Sequence, residues 1–332
     1  MRSLLIVVSL LILIQWASLS RAWAVGKKVA QSLMPFLELE IGARPVAVGG
    51  AFITVSGDPS SLFWNPAGLA DVRGRDVFFS HTSWIADIGY NAAAVNLNLG
   101  DVGSFGLTAL IMDYGAFYAT TVDPNPANWR GYNDEGTFTV SEYEFGLGYA
   151  RRLTDQFSVG GQVKYAYQQL GSSTVYSFPG TPFQTISKQP NRTTAIVYDL
   201  GTLYYFGFKS LRFAMTLTNF SNIQTPMTFK VGVGMNVVDL WAESDQDYSI
   251  NVSVDALHPR DYSETMNLGV ELSYLNVFFL RAGYKLNYDE QRWTLGTGVS
   301  PTIGTAHFSI DYSYRSFGIF NNVQSISVGI TF

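Results

Sequence analysis

The chain of 332 residues is predicted to be all-β: a transmembrane antiparallel β-barrel of about 14 strands, with an N-terminal hatch segment inside the lumen. Three observations predict it. Charged residues are 14% of the chain against the usual ~25% for a soluble domain, while aromatics are 15%, with 19 Tyr and 23 Phe. Mean hydropathy is nevertheless only slightly positive, the even mixture that a greasy outer wall around a wet lumen requires. The last residues alternate, so that Ile326, Val328, Ile330 and Phe332 share one face. In water such a strand would leave an apolar row and an unpaired edge. In a barrel, lipid covers the row and the first strand covers the edge.

The elements follow in order. Arg2, an apolar run from Leu4 to about Leu19, and Ala22-Trp23-Ala24 read as a signal peptide over 1–24. Residues 25–75 read as a hatch with a short helix. Residues 76–332 read as the barrel, with strands near 76–83, 89–98, 103–114, 137–150, 155–168, 192–206, 211–219, 228–238, 246–255, 265–275, 277–287, 291–300, 304–315 and 322–332. Most reach the ~9–11 residues that a tilted membrane strand needs. Alternation fixes their faces: Phe308, Ile310, Tyr312 and Tyr314 oppose Ser309, Asp311, Ser313 and Arg315. Because charge on the lipid face costs ~2–4 kcal/mol at the midplane, the apolar set points outward. The lumen is then expected to be lined by Arg, Lys, Glu, Asp and small residues. Long connections at 115–136 and 169–191 face outside, and tight turns at 151–154 and 207–210 face the periplasm. Tyr143, Tyr149, Tyr204, Tyr274, Tyr284, Trp293 and Tyr314 fall toward the two interfaces as aromatic girdles. The terminal Phe332 resembles the closing-strand signal read by the barrel-assembly machinery, an expected partner beside outer-membrane lipid.

The hatch carries the most specific text: Gly42-Ala43-Arg44-Pro45, Gly49-Gly50-Ala51-Phe52, then Asp58-Pro59-Ser60-Ser61-Leu62-Phe63-Trp64-Asn65-Pro66-Ala67-Gly68-Leu69. Asp58 before Pro59 is a helix start and Asn65-Pro66 a stop. Gly42, Gly49 and Gly50 would let the backbone lie close to the wall. Arg44 in a confined lumen needs a partner. The inward carboxylates Glu142, Glu144, Asp199, Glu271 and Asp311 are the candidates.

This motif string resembles the N-terminal signature of the PorV/PorQ family, within the superfamily of the FadL long-chain fatty-acid channels. The resemblance continues through Gly146–Arg152, Asp199–Tyr204, Asn267–Glu271 and Leu280–Lys285. It implies an integral outer-membrane barrel with a hatch. It also implies either of two partners: secretion-system components and exported cargo of the type IX kind, or a hydrophobic small molecule carried across the membrane. PorV-like members bind cargo at the outer surface, and FadL-like members pass hydrophobic molecules through a plugged barrel.

The outer loops offer Phe117, Tyr118, Trp129, Tyr132, Tyr176 and Phe178 as rim contacts, or as side chains packed on one another to close the mouth. Enzymatic chemistry is not expected. There are no cysteines and only His81, His258 and His307; His307 shares a strand face with Ser309 and Asp311, a neighbourhood that alternation produces by chance. The sequence contains no G-x-S-x-G elbow and no metal cluster, so no cofactor is expected. A net charge of -5 gives no basis for nucleic-acid binding.

Overall fold

A backbone crossing lipid has no water to bond to, so a membrane sheet must satisfy all its N–H and C=O groups by closing on itself. The computed structural model, which describes residues 31–123, 127, 129–177, 184–241, 246–320 and 322–332, shows that closure. Fourteen antiparallel strands make up the barrel: β1 (Arg75–Ser83), β2 (Gly89–Asn98), β3 (Ser104–Asp113), β4 (Ser141–Thr154), β5 (Phe157–Ser177), β6 (Gln184–Tyr205), β7 (Arg212–Phe220), β8 (Thr228–Asn236), β9 (Tyr248–Pro259), β10 (Thr265–Tyr274), β11 (Phe278–Leu286), β12 (Gln291–Val299), β13 (Ala306–Phe317) and β14 (Val323–Thr331). Each strand pairs with the next, and β1 pairs with β14 from Asp76↔Thr331 to Ser83↔Gln324. The seam is sealed further by Arg75 N–H to the Phe332 carbonyl and Phe332 N–H to the Arg75 carbonyl, each 2.9 Å. The region expected to be a signal peptide lies outside the described residues.

The side-chain alternation sorts as expected from the lipid cost. In β1, Val77, Phe79 and His81 are exposed while Asp76, Phe78, Ser80 and Thr82 are buried. In β4, Phe145, Leu147 and Tyr149 face out, and Glu142, Glu144 and the small residues Gly146, Gly148 and Ala150 face in. The outer surface carries paired aromatics, such as Tyr143–Tyr167 with ring centroids 4.8 Å apart and Trp293–Tyr314 at 5.6 Å. The expected charged lumen needs one correction. Phe78, Tyr90, Ala92, Ala94, Leu110, Met112 and Val197 are inward and apolar, because they pack against Met34, Phe36, Leu37 and Ile41 of the preceding segment. Where that segment is apolar, the wall it touches must be dry.

Three connections also differ from expectation. The described residues within 169–191 form no loop: β5 and β6 stay paired to Ser177↔Gln184. At ~3.4 Å per residue, strands of 21 and 22 residues far outrun the hydrocarbon core, so this hairpin projects beyond the bilayer. Residues 115–136 carry a separate hairpin, Ala116–Val122 paired with Tyr132–Thr139, which shifts the start of β4 to Ser141. The turn expected at 151–154 sits at Asp155-Gln156, since Arg151 and Arg152 still pair with Val159 and Ser158. The longest excursions follow the odd-numbered β3 and β5, and the connections after even-numbered strands, of which 237–247 is the longest, share an end with Arg75 and Phe332. That end is periplasmic by the barrel rule.

A direct check of the lipid face is Leu147→Arg, at an exposed mid-strand position of β4. Unfolding free energy in bilayers, read by urea titration, should fall by ~2–4 kcal/mol. Thr108→Ser, on the inward face of β3, should change it by less than about 1 kcal/mol.

Candidate functional site

Residues 35–72 occupy the lumen and are held from several sides of the wall. Their local structure is short helical turns: Pro35–Glu38, Ala43–Ala47, Ser61–Phe63 and Pro66–Asp71. The expected single helix after Asp58 is therefore two 3-10 turns, with the Ala43–Ala47 turn unforeseen. Asn65-Pro66 stops one turn and starts the next: the Asn65 side chain accepts from Ala67 N–H at 3.0 Å, and Pro66 stands at the first helical position. The same Asn65 donates Nδ2 to the Ile53 carbonyl at 2.7 Å and the Thr202 carbonyl of β6 at 3.2 Å, tying the segment to the wall. Trp64 is buried, donates Nε1 to the Ile41 carbonyl at 2.8 Å, and packs edge-on to Phe52. Gly42, Gly49 and Gly50 have φ of 95°, 69° and 76°, a region that residues with a Cβ rarely adopt. A Cβ on Gly49 would lie 3.1 Å from the Leu268 carbonyl and 3.2 Å from Gly283 Cα, so segment and wall meet backbone to backbone there.

Wall side chains close the remaining bonds. Asp255 Oδ2 accepts the N–H groups of Phe52 (2.8 Å) and Ile53 (3.1 Å), and Thr294 donates to the Ala47 carbonyl at 2.9 Å. Arg44 is the ionic centre. It forks onto Glu271 (Nε to Oε2 2.9 Å, Nη2 to Oε1 2.8 Å) and donates Nη1 to Asp58 Oδ2 at 2.9 Å. Glu271 also accepts from Arg281 Nε at 2.6 Å, and Arg281 reaches Asp311 at 2.6 Å. Burial opposes the Arg44 charge, but Glu271 and Asp58 outweigh it and raise its pKa above the ordinary value. Of the expected carboxylates, Glu271 binds Arg44 and Asp311 stands one cation away. Asp199 and Glu144 instead flank Lys164, at 2.9 and 3.6 Å, and Glu142 accepts from Tyr114 and Gln168. Asp58 does two jobs: it also accepts from Ser60 N–H at 2.8 Å.

Above this segment, at the loop end, lies a cavity of about 780 Å³. Its floor is the segment itself, at Leu37, Leu39, Phe63 and Trp64. Its apolar walls are Leu257 and Phe317, and Trp84, Tyr262 and Tyr288 stand near the mouth. The polar side is organised by Glu40, which accepts Lys285 Nζ at 2.5 Å and Arg315 Nη1 at 2.8 Å. Burial would raise the Glu40 carboxyl, yet Lys285 and Arg315 hold it below the usual range. Lys230 has neither an ion pair nor a hydrogen bond among the described residues; its ammonium lies 5.4 Å from the centroid of the Trp64 ring. Glu38 is open to the cavity, but enclosure by the protein, and next the nearby Asp261, push its carboxyl up to about 7, with Lys230 opposing. The inward face of Lys230 and Arg315 was legible from alternation. Their convergence with Glu40 was not, since it joins three distant stretches of chain.

The expected rim contacts lie elsewhere. Phe117, Tyr118 and Tyr132 belong to the separate outer hairpin and Trp129 to its connection; Phe117 stacks on Phe138 at 5.6 Å. None of them lines the cavity. Phe178 and the side chain of Tyr176 lie outside the described residues. The histidine neighbourhood is not assembled: His307 bonds Ser300 and Thr302 at 2.8 and 3.0 Å, while Asp311 is taken by Arg281.

No family model matches the chain, and no curated protein does. Solved structures do. The toluene transporter TbuX of Ralstonia pickettii matches with TM-score 0.60 and 14% identity, over 88% of this chain and 98% of that one. The CymD monoaromatic hydrocarbon channel matches with TM-score 0.56 and 14% identity, over 88% and 97%. A FadL homologue of Pseudomonas aeruginosa matches with TM-score 0.53 and 11% identity, over 92% and 99%. The likeness establishes the fold, a FadL-like barrel; it does not extend to the narrower PorV/PorQ assignment.

Removing the ionic centre should be felt. Arg44→Gln strips Asp58 and part of Glu271 of their cation and should lower unfolding free energy by about 2 kcal/mol, less than for a fully dry pair because Arg44 retains some exposure. An unchanged urea midpoint would mean the network carries no stability. Glu38 predicts a pH effect. Its folded pKa lies above that of the unfolded chain, so the unfolded state sheds its proton first. Stability is therefore lost as pH rises from about 4.5 to about 7. The thermal midpoint should decline over that window in the wild type, and the decline should be shallower in Glu38→Gln.

Proposed function

We propose that this barrel takes up hydrophobic small molecules at the cell surface and passes them across the outer membrane. One observation carries the reading: a cavity of about 780 Å³ at the loop end whose floor is apolar, at Leu37, Leu39, Phe63 and Trp64, and whose remaining lining combines Leu257 and Phe317 with polar and charged side chains, a concave site of the size that holds a small molecule. The FadL-like fold supports it, since the solved structures that share this fold include a toluene transporter and a monoaromatic hydrocarbon channel. The protein's contribution is shape and an apolar floor. Leu37, Leu39, Phe63 and Leu257 supply apolar contact, and the segment beneath blocks an open water pore.

A second reading, capture of exported cargo at the outer surface, draws on the motif resemblance and on the outer hairpin, where Tyr118 and Trp129 are 88% and 87% exposed. It explains those aromatics but leaves the cavity without a role, so the small-molecule reading is preferred.

The test is uptake of radiolabelled toluene by cells with and without the barrel, alongside the cavity-filling variant Leu257→Trp at matched surface abundance. Faster uptake with the wild type and a severalfold loss in the variant is expected. Equal uptake with and without the barrel would remove toluene and its relatives as cargo, and secretion of exported proteins in the same strains would then report on the second reading.

A further inference from the structure

The periplasmic end of the barrel is not uniform around its circumference. Every connection at that end, or the strand end beside it, exposes a large apolar side chain: Leu99 and Val102, Leu153, Phe206 and Phe208, Leu240 and Trp241, Leu275, and Ile303. They continue the lipid-facing belt downward, so the membrane interface covers this rim. The exposed cations are distributed otherwise. Arg73, Arg75, Arg151, Arg152 and Lys209 all fall on the arc from β1 to the β6–β7 turn. The opposite arc, formed by the connections after β8, β10 and β12, has no Lys or Arg among the described residues and exposes Asp247, while the first arc exposes Asp101 and Asp155 beside its five cations and stays net positive.

Two groups on the cationic arc point at the membrane. Arg75 precedes the outward Val77 and Phe79 by the strand alternation, and Arg151 follows the outward Leu147 and Tyr149. Lys209 sits on the β6–β7 turn with φ 54°, between the exposed Phe208 and the start of β7. None of the three has a carboxylate partner among the described residues, whereas Arg152, on the inward side, is engaged by Asp71. Aromatic rings lie alongside: Phe105–Tyr149 at 4.9 Å between centroids, and Tyr204–Phe206 at 5.2 Å. With neighbouring strands ~4.8 Å apart, Arg75 and Arg151 stand roughly 14 Å from each other, three strands along the wall.

Cations beside amphipathic rings at headgroup depth match a phosphodiester with acyl chains attached, and the Arg fork suits a phosphate. We propose that this arc is a binding surface for anionic phospholipids of the inner leaflet, with Arg75, Arg151 and Lys209 engaging the headgroup phosphates. The inference is independent of what the barrel transports. It orients the barrel's lipid shell: anionic lipid gathers on the β1–β7 side, and the opposite arc takes neutral lipid.

The full-length barrel, extracted in mild detergent from membranes of equal phosphatidylglycerol and phosphatidylethanolamine, is analysed by native mass spectrometry for retained lipid. The wild type should retain phosphatidylglycerol preferentially. At about fivefold per cation near an anionic surface, Arg75→Gln/Arg151→Gln/Lys209→Gln should lose that preference. Arg292→Gln, an exposed cation at the other end of the barrel, should keep it. Each variant is first checked for the heat-modifiable gel shift of a closed barrel; if the triple variant fails it, the single variants are measured, each expected to lose about fivefold. Equal retention of both lipids by the wild type, or undiminished preference in folded variants, overturns the proposal.

Discussion

The structure depends on one constraint: a sheet in lipid must have no edge. Pairing β1 with β14 meets it, and much else follows. The alternation along each strand becomes a division between lipid and lumen. A lumen walled by fourteen strands is too wide to be filled by wall side chains alone, so it takes in a piece of the chain's own N-terminal region. That piece is too short to make a core by itself. It borrows one from the inward Phe78, Leu110 and Met112, ties off its backbone on Asp255 and Thr294, and anchors the Asn65 side chain on the Thr202 carbonyl.

The ionic chain Asp58–Arg44–Glu271–Arg281–Asp311 follows from the same confinement. Each charge would be costly alone in a narrow lumen, and each is matched by a neighbour of opposite sign. Lys164 between Asp199 and Glu144 repeats the solution on another part of the wall. The network holds the segment laterally and leaves its upper surface free, and that surface is the floor of the cavity.

Much of this was legible in the sequence because the strand period is a local property. Strand number, the inward set Glu142, Glu144, Asp199, Glu271 and Asp311, and the outward aromatics all followed from counting by twos. Elements set by tertiary contact were not legible. The helix after Asp58 broke into two turns because Asn65 spends its side chain on Ile53 and Thr202. The region 169–191 read as a loop because its polar strands, projecting into water, lack the lipid-facing row that marks the others. Arg44 was seen to need a carboxylate, but the choice of Glu271 over Glu144 depends on how β10 and β4 are placed around the lumen. The cavity joins Glu40, Lys230, Lys285 and Arg315 from remote stretches, a convergence no local pattern encodes.

The overlong β5–β6 hairpin has a consequence for biogenesis. Its far half holds Ser172, Ser173, Gln189 and Asn191, hydrophilic groups that must be carried through the hydrocarbon layer to arrive at the cell surface. A finished cylinder with a stoppered interior offers them no route. The hairpin must therefore cross while the wall is still open, before the first and last strands join.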